Sequence, residues 1–267
     1  MQYKTIDFSK YSSIKIGPKI DVAIINKDDL KELEEKNFTI IGSCSNTLVA
    51  PNPPPLAMLG KDFNYIKIQD NTLKIGSATP SGKISSFCKK NNIGGFEFLS
   101  HLPGKLGGIV FMNAGMKEFE IFNNLKYIKL LSGIKTKDEI EFGYRYTNIK
   151  EPILEAVFNL QHGYDASKVE FVKKLRSNQP STPSAGSCFK NPQGDYAGRL
   201  IEEVGLKGKK VGGAMFSNQH ANFLVNRGNA TFEDAYNLIK EAQEKVYSTF
   251  GIKLECEIVI LDLLKRF

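Results

Sequence analysis

The sequence predicts an α+β protein with more than one compact region, and three observations lead to this prediction. The chain has 267 residues, which is long for a single hydrophobic core. Up to about residue 160, short apolar segments are separated by turn residues, which is the pattern of strands, with brief helical segments among them. After residue 165, apolar residues recur mostly at the spacing of amphipathic helices. A composition of 41% hydrophobic and 24% charged residues is that of an ordinary globular protein.

Charge and cysteine content narrow the classes of partner. The formal net charge is +7, but the lysines are scattered and their densest group is Lys207, Lys209 and Lys210, which favours anionic small molecules over nucleic acid. The four cysteines lie far apart without a C-x-x-C pair, so we expect neither a metal site nor a redox dithiol. With no signal-type N-terminus and no apolar run near the roughly 20 residues of a membrane span, we expect a cytoplasmic protein that does not bind membranes.

The first elements of the chain are small α/β units that lead into a loop of small residues. Strands are predicted at residues 14–16, 22–25, 38–41 and 47–49, with a charged helix at 27–36. The strand at 38–41 is followed directly by Gly42, Ser43, Cys44, Ser45 and Asn46. Such a loop is either a plain turn or a place where backbone amides converge on a phosphate, and the residues alone leave both open.

A proline-rich connector at 51–55 separates these units from a second group of strands. Those strands are predicted at 56–59, 65–68 and 73–75. A helix follows, with Thr79 as its N-cap and Pro80 at its first position, where the missing N–H is no loss.

A second cluster of glycines lies between residues 102 and 115. It has neither the G-x-G-x-x-G dinucleotide pattern nor the G-K-[ST] of a P-loop. The glycines Gly104, Gly107, Gly108 and Gly115 exclude side chains, which suits either a flat ligand against the backbone or tight strand-to-strand packing.

Strands are predicted again at 125–131 and 153–160, and an arginine between aromatic residues separates them. Tyr144 and Tyr146 flank Arg145, just after Phe142 and Gly143. The guanidinium either stacks on these rings or points its planar fork at a carboxylate or a developing oxyanion.

Helices dominate the last third of the chain, which closes on a strand. Helices are predicted from 165 to Pro180, at 197–204 with Gly205 as the stop, and from a capping box at 231–234, with strands at 211–216, 222–226 and 252–261. In the last strand, period-two alternation places Glu255 and Glu257 on one face. Either both are solvated at the strand end, or one of them is held where a proton must be transferred.

The segment 184–192 has the composition of a site. It gathers two hydroxyls, a thiol, a cation and an amide around Gly186, and it is too broken for a long regular element. A polar loop joining two helices is the plainer interpretation.

Taken together, five stretches resemble the UDP-N-acetylenolpyruvoylglucosamine reductases, the MurB family of flavoenzymes in peptidoglycan synthesis. The resemblance runs from about residue 10 to the end of the chain. The stretches are 42–49, 102–115, 142–145, 176–192, and 197–226 together with 254–258. The run G-S-C-F-K-N-P from Gly186, followed by A-G-R-L-I-E and G-L-K-G, is the most specific part.

The resemblance implies a vanillyl-alcohol-oxidase-type FAD-binding region of two α/β subdomains, 1–55 and 56–163. A substrate domain at 164–267 follows, whose terminal strand could return to the FAD site. FAD would be bound non-covalently and NADPH would be the co-substrate. A UDP-linked enolpyruvyl ether would be reduced by hydride from the flavin N5. A monomer is expected.

The resemblance also assigns residues. Ser187 would protonate the substrate carbon, and Arg145 and Glu257 would stabilise the charge that develops. Substrate would be bound by Tyr144, Lys190 and Asn191. FAD would be bound by Gly42, Ser43, Cys44, Ser45, Asn46, Pro103, Gly104, Gly107, Gly108, Asn113, Ala114 and Gly115.

The sequence departs from the family pattern in three places. Cys44 stands where glycine is common, residues 116–118 replace a more familiar A-Y-G, and only four residues separate Pro192 from Ala197. The chain therefore resembles the shorter branch, which lacks an inserted substrate-clamping loop. Two other functions stay open from the residues: another FAD oxidoreductase of the same fold, and a non-catalytic domain that binds nucleotide or nucleic acid.

Overall fold

A computed structural model describes residues 1–264, and the chain forms two compact units. The first unit contains Met1–Lys4, Val22–Ser43 and Pro55–Ser177. The second contains Thr5–Asp21, Cys44–Pro54 and the chain from Asn178 onward. The mixture of helices and strands confirms the α+β class. The division at residues 55 and 163 that the resemblance implies stays a prediction.

Both units contain helices and strands. The strands are β1 (Gln2–Asp7), β2 (Lys19–Ile25), β3 (Thr39–Ile40), β4 (Thr47–Val49), β5 (Leu56–Leu59), β6 (Ile66–Gln69), β7 (Thr72–Gly76), β8 (Gly115–Met116), β9 (Phe119–Glu120), β10 (Leu125–Lys129), β11 (Ile134–Thr136), β12 (Phe142–Gly143), β13 (Tyr146–Thr147), β14 (Glu155–Asn159), β15 (Ser184–Ser187), β16 (Lys210–Val211), β17 (Ala214–Phe216), β18 (Phe223–Asn226) and β19 (Val259–Leu261). The α-helices are α1 (Phe8–Tyr11), α2 (Leu30–Glu35), α3 (Ser81–Lys90), α4 (Leu106–Phe111), α5 (Ala166–Leu175), α6 (Ala197–Glu203) and α7 (Phe232–Phe250). Short 3₁₀ turns occur at Lys27–Asp29, Lys61–Phe63, Glu97–Ser100, Ile121–Asn123 and Lys137–Glu139.

The first unit is built on two sheets. Strand β5 pairs in parallel with both β2 and β3, in the sheet order β1-β2-β5-β3. A five-stranded antiparallel sheet has the order β11-β10-β14-β7-β6. Its core contains the fully buried rings of Phe96, Phe122 and Phe158, and Ile84 and Cys88 of α3 face this core.

Helix α3 begins one residue later than predicted. Pro80 has extended backbone angles and forms an antiparallel bridge with Lys105. The Thr79 hydroxyl donates to the Tyr65 carbonyl at 3.1 Å, so it does not cap the helix. A contact distant in sequence thus replaces the local cap.

The second unit combines an antiparallel sheet with the long helix α7. The sheet order is β15-β18-β17-β16, and β19 pairs in parallel with β4. The capping box at Thr231 and the stop at Gly205, whose φ is +74°, are both confirmed. Leu200, Ile201, Leu238 and Ile239 pack into one buried cluster.

Three strand predictions in the second unit are wrong or too long. Residues 14–16 are not a strand, because Lys15 has a φ of +59° and the Asn226 amide donates to the carbonyls of Ile14 and Lys15. Residues 211–216 form a hairpin, because Gly212 turns the chain with a φ of +51°. The last strand is only Val259–Leu261, preceded by a single bridge between Phe189 and Cys256.

No helix within residues 1–264 is long and apolar enough to cross a membrane. Nor do any three His, Cys, Asp or Glu side chains in that range lie together as a metal site would require.

Candidate active site

Ser187 lies at the end of β15, and hydrogen bonds hold the backbone beside it on both sides. Ser187 is opposite Phe223 in the register with β18. The N–H of the next residue, Cys188, donates to the Asn222 carbonyl at 2.7 Å. The Cys188 carbonyl accepts from the N–H of Glu257 at 2.9 Å. The second unit therefore brings the predicted residues Ser187 and Glu257 together, although 70 positions separate them in the sequence.

The side chain of Asn222 fixes the same segment. It is 3% exposed, and its Oδ1 accepts from the Phe189 N–H at 2.9 Å while its Nδ2 donates to the Phe189 carbonyl at 2.8 Å. Both backbone polar groups of Phe189 are satisfied by one buried amide, which is the condition for burying them. Sequence reasoning missed Asn222, since no local pattern shows which segment a strand residue will contact.

The two carboxylates predicted on one strand face, Glu255 and Glu257, differ in environment. Glu255 is exposed, and its carboxylate pairs with the Lys190 ammonium at 3.5 Å. Glu257 is half-buried, and its carbonyl accepts from Nδ2 of Asn46 at 2.8 Å. Asn46 belongs to the predicted cofactor loop, so the segment carrying Glu257 is tied to the last residue of that loop.

Ser187 also opens into a pocket of about 320 Å³ within the second unit. The pocket lies against the start of α6 and the turn before β18. Its lining residues are Ser187, Asn191, Tyr196, Gly198, Arg199, Glu202, Lys207, Gln219, His220, Ala221 and Asn222. Of the predicted substrate residues, Asn191 lines this pocket, and its Oδ1 accepts from the Ala197 N–H at 3.1 Å.

The two cations that line the pocket are each paired with a carboxylate. Arg199 donates from both Nε and a terminal nitrogen to Asp195. Lys207 pairs with Glu202 at 2.8 Å. Neutral polar groups from Asn191, Gln219 and His220 make up much of the remaining lining. The pocket is therefore polar with partly compensated charge, and it offers several directed hydrogen-bonding groups.

His220 is half-buried, and burial lowers the pKa of its imidazole. Its Nδ1 faces the N–H of Asn222 at 3.3 Å, which assigns Nδ1 as the acceptor and leaves the proton on Nε2. The ring also packs edge-on against Phe223, with centroids 4.9 Å apart. A neutral histidine with a defined tautomer thus lines the pocket, although sequence analysis did not select it.

The two thiols near Ser187 have low reactivity as nucleophiles. Cys188 is fully buried, and burial raises its pKa well above the ordinary value. Burial also raises the pKa of Cys256 to about 11. Because the thiolate is the nucleophilic form, a buried protonated thiol is a poor nucleophile. This favours the hydroxyl of Ser187 over the thiol of Cys188 as the reacting group of the segment.

Arg145 lies in the first unit, at the turn that joins β12 to β13. Its φ is +54°, so it occupies the left-handed region that few residues other than glycine adopt. One guanidinium nitrogen donates to the Gly115 carbonyl at 2.7 Å, and the guanidinium lies 5.2 Å from the centre of the Tyr144 ring. Tyr144 itself is half exposed. The stacking alternative for Arg145 is therefore observed, and a hydrogen bond anchors the guanidinium to the second glycine cluster.

Asn113 holds that cluster to the same hairpin. Its buried amide nitrogen donates to Glu120 at 2.9 Å and to the Gly143 carbonyl at 3.0 Å. Gly115 is required sterically, because a Cβ there would lie 2.1 Å from the Phe119 carbonyl oxygen. Asn113 and Gly115, two of the predicted cofactor residues, therefore have structural roles within the first unit. Their contact with a ligand stays a prediction.

The other glycines of the cluster leave more room. Gly104 has a φ of +146°, which demands glycine. Gly107 and Gly108 belong to helix α4, so strand-to-strand packing does not explain them. A Cβ on Gly107 would lie 3.1 Å from the Ser77 Cβ, whereas none of the described atoms lies within 4 Å of a Cβ on Gly108. Pro103 is exposed and Ala114 is half-buried.

The fit of a cofactor can be tested at this glycine cluster. The Ser77 hydroxyl is buried and has no hydrogen-bond partner within residues 1–264, and Gly107 packs beside it. Buried hydroxyls are rarely unpaired in proteins, and a bound ligand or an ordered water often satisfies one that no protein group reaches. Gly42 also borders the cluster, since its Cβ would lie 3.7 Å from the Lys105 Cβ. An open glycine backbone beside such a hydroxyl fits a phosphate-bearing cofactor.

The departure at Cys44 keeps the backbone shape of a glycine. Cys44 has a φ of +48° and a buried side chain, in the second unit. Its neighbours Ser43 and Ser45 are half-buried. Cys44 therefore occupies the left-handed region, at a strain cost of about 1–2 kcal/mol for a residue other than glycine.

The family model described as "UDP-N-acetylenolpyruvoylglucosamine reductase, C-terminal domain" matches residues 178–261. Curated proteins named UDP-N-acetylenolpyruvoylglucosamine reductase match nearly the whole chain. That of Helicobacter hepaticus is 48% identical over 98% of this chain and 100% of its own length. That of Campylobacter jejuni strain RM1221 is 45% identical over 96% of this chain and 99% of its own length. That of Fusobacterium nucleatum is 35% identical over 96% of this chain and 97% of its own length.

A solved structure is similar as well. The chain superposes on the crystal structure of UDP-N-acetylenolpyruvylglucosamine reductase (MurB) from Thermus caldophilus with a TM-score of 0.87 and 27% identity. The match covers 98% of this chain and 100% of that one. The likeness therefore extends over both units and beyond the segment that the family model matches.

Proposed function

The chain belongs to the UDP-N-acetylenolpyruvoylglucosamine reductases, and we propose that it reduces UDP-N-acetylglucosamine enolpyruvate to UDP-N-acetylmuramate in peptidoglycan precursor synthesis. We also propose that FAD is the non-covalent cofactor, that NADPH is the reductant, and that the protein acts as a cytoplasmic monomer. In this proposal the fold is a two-subdomain FAD-binding region with a C-terminal substrate domain.

The observation that carries the proposal is the position of Ser187. Its backbone lies beside that of Glu257, and its side chain lines a polar pocket with directed hydrogen-bonding groups. A proton donor for a carbon atom must be held at a fixed place beside its substrate. The pairing of β15 with β18 and the buried amide of Asn222 supply that constraint.

FAD, when bound and reduced by NADPH, supplies the hydride for the enolpyruvyl double bond. The residues that would hold it are those of 42–46 and 103–115, with the Ser77 hydroxyl as a further candidate. Exposed backbone at Gly108 and the glycine-only conformation of Gly104 support this assignment.

Charge stabilisation is the proposed role of Arg145 and Glu257. Hydride addition at the terminal carbon of the enolpyruvyl group leaves negative charge on the neighbouring carbon and its carboxylate. A fixed guanidinium can stabilise that charge, and so can a carboxylic acid in its protonated form. The hydrogen bond from Arg145 to Gly115 and its stacking on Tyr144 preorganise the guanidinium. The loss of one such group typically costs about 2.7–4 kcal/mol of transition-state stabilisation.

Protonation of that carbon is the proposed role of Ser187. Its hydroxyl gives up the proton, and the negative charge left on oxygen must be neutralised by a relay. The carbon acquires its new C–H bond as the enolate charge disappears, which completes the addition of one hydride and one proton across the double bond. Neutral polar groups of the pocket can serve as relay partners, whereas the buried thiol of Cys188 stays protonated.

Nucleotide binding is proposed for the pocket beside Ser187. Asn191 lines it, and Lys190 precedes Asn191 in the chain but does not itself line the pocket. The Lys190–Glu255 pair is exposed on the Glu255 side, so an anionic ligand could displace this weak contact at little cost. Tyr144 is a further proposed substrate contact.

The proposal is tested by a complete turnover. Purified protein with added FAD should oxidise one equivalent of NADPH as the flavin is reduced, and further NADPH only when the enolpyruvyl nucleotide is present. The product should contain a lactyl ether. Flavin binding and reduction without turnover of this substrate would instead indicate a flavin oxidoreductase with a different substrate. Absence of flavin binding would overturn the proposal outright.

A further inference from the structure

Tyr196 is an exposed aromatic residue that the proposed chemistry does not use. It lines the pocket beside Ser187, yet 70% of its surface is open to solvent. No ring or cation from the described residues stacks on it, whereas Arg199, one turn later, lies over the Phe250 ring. A large bare ring at the rim of a polar pocket is a candidate ligand contact.

The backbone at Tyr196 is held in place although its ring is bare. Tyr196 is the N-cap residue of α6, and its N–H donates to Oδ1 of Asp195 at 2.7 Å. Its carbonyl accepts from the Leu200 N–H at 3.1 Å, and the N–H of Ala197 is bound by Asn191. The ring therefore has only its two side-chain torsions to lose when a ligand packs on it, which keeps the entropic cost of binding low.

The chemistry of the pocket favours the base over the diphosphate of a nucleotide. Asp195 compensates Arg199, and Glu202 compensates Lys207, so a dianion would have to compete with two carboxylates. The neutral groups of Asn191, Gln219 and His220 are suited to the carbonyl and N–H edge of a pyrimidine. A flat base bound by its edge leaves a face that needs a cover, and Tyr196 is the phenol ring among the described lining residues.

We propose that the Tyr196 ring stacks on the uracil base of the nucleotide substrate. The inference rests on the proposed function, because it takes the substrate to be a uridine nucleotide. Stacking on an aromatic side chain contributes about 1–3 kcal/mol per base, so loss of the ring should weaken binding on the order of 5- to 150-fold. The lower part of that range suits a ring that is open to solvent on one side.

The chain offers a direct spectroscopic test because it contains no tryptophan. Tyr196→Trp introduces a single indole at the rim of the pocket, and stacking on uracil should quench its emission as UDP is titrated into the FAD-loaded protein. Tyr247→Trp is the matched control, since Tyr247 is 62% exposed on α7 and does not line the pocket. Inorganic pyrophosphate is the second ligand, because it has the charge of the diphosphate without a base.

The expected result is quenching by UDP at position 196, with no change at position 247 and none from pyrophosphate. Equal responses at both positions, or equal responses to UDP and pyrophosphate at position 196, would overturn the inference. Kinetics give a second measurement. Tyr196→Ala should raise KM for the enolpyruvyl nucleotide roughly ten-fold at nearly constant kcat, and Tyr196→Phe should restore it.

Failure of this inference is distinguishable from failure of the proposed function. If calorimetry shows that UDP binds the wild-type and Tyr196→Ala proteins equally while turnover proceeds, only the stacking is wrong. If the wild-type protein neither binds UDP nor turns over the enolpyruvyl nucleotide, both proposals are wrong.

Discussion

The segments 184–191 and 103–115 are similar in sequence and different in structure. Both are rich in small residues, and both looked like loops that leave room for a ligand. In the second unit, the segment around Ser187 is paired with β18 on one side and with residues 255–257 on the other. In the first unit, the glycine segment contains helix α4 and a tight turn. Its glycines differ in the space that surrounds them.

The difference separates two kinds of site. Around Ser187, the backbone is satisfied by protein partners and the side chain is presented to a pocket. At Gly104 and Gly108 no side chain is presented. Their carbonyls accept from the N–H groups of Ser81 and Met112, so the missing side chain, and not a free carbonyl, is what would let a ligand approach the backbone. A side-chain site should be sensitive to the chemistry of one residue, whereas a backbone site should be sensitive to added volume.

Removal of one hydroxyl should break the side-chain site. Ser187→Ala should slow turnover of the enolpyruvyl nucleotide by about 10²–10⁴-fold, the usual contribution of a positioned proton donor. Reduction of bound flavin by NADPH should stay nearly unchanged, because that step needs no proton from Ser187. Stopped-flow measurements of the two half-reactions check this.

Cys188→Ala is the control for that variant. Its thiol is buried and protonated, so turnover should persist. Equal loss of both half-reactions in Ser187→Ala would contradict the proton-donor role of Ser187. Loss of turnover in Cys188→Ala would indicate that the thiol takes part in the reaction.

Substitution of alanine for glycine should have opposite effects on stability at Gly115 and at Gly108. Gly115→Ala forces a Cβ to within 2.1 Å of a carbonyl oxygen, and overpacking of this kind typically costs about 1–3 kcal/mol or more of unfolding free energy. Gly108→Ala meets open space in a helix, where alanine is favoured over glycine by about 0.8–1 kcal/mol. Gly108→Ala should therefore stabilise the protein against denaturant and yet weaken FAD binding.

Denaturation with and without FAD, together with a flavin titration, checks both variants. A Gly108→Ala protein that binds FAD as tightly as wild type would contradict the assignment of a backbone site at this glycine. A Gly115→Ala protein with unchanged stability would contradict its steric role.

Two buried asparagines, one in each unit, sharpen the comparison further. Asn222→Ala leaves the Phe189 N–H and carbonyl without partners, and each such loss costs about 1–3 kcal/mol. Asn113→Ala should destabilise the first unit by a similar amount, since it loses Glu120 and the Gly143 carbonyl. UDP affinity should fall only in Asn222→Ala, because its partner segment carries Ser187. A parallel loss of UDP affinity in Asn113→Ala would contradict the placement of the nucleotide in the pocket of the second unit.

The smallest expected effect is a pH dependence from His220. Burial lowers its pKa below the ordinary value of 6.5, so just below that pH the unfolded chain binds more protons than the folded one. The unfolding free energy should therefore fall as the pH drops through about 6.5 and level off below the folded pKa. His220→Gln should flatten this part of the stability profile, whereas His162→Gln, at an exposed position of the first unit, should leave it unchanged. An unchanged profile in His220→Gln would contradict a neutral, desolvated imidazole.

Local signals account for what could be predicted. The capping box at Thr231 and the stop at Gly205 involve neighbouring residues only, so sequence alone located them. The hairpin at Gly212 could also have been found, because a Gly-Gly pair between apolar residues is a turn signal. The strand expected at 14–16 failed for a different reason, since Asn226 holds that loop from more than 200 positions away.

The site divides in the same way. The motif around Ser187 could be recognised as a local run, and the terminal segment with Glu257 as another. The pocket could not be predicted, because Tyr196, Lys207 and His220 come from a helix start, a loop and a turn that meet only in the folded unit. Their residue types are common at protein surfaces, so no local pattern distinguishes them.

The most direct test of the account is the visible spectrum of the flavin on the purified protein. The protein should show the absorption of bound oxidised flavin, lose it when NADPH is added without oxygen, and regain it when the enolpyruvyl nucleotide follows. In the Ser187→Ala protein, NADPH should remove the flavin absorption as it does in wild type, but the absorption should return orders of magnitude more slowly when the enolpyruvyl nucleotide is added. Recovery at the wild-type rate in that variant, or a protein that binds no flavin, would contradict the central claim.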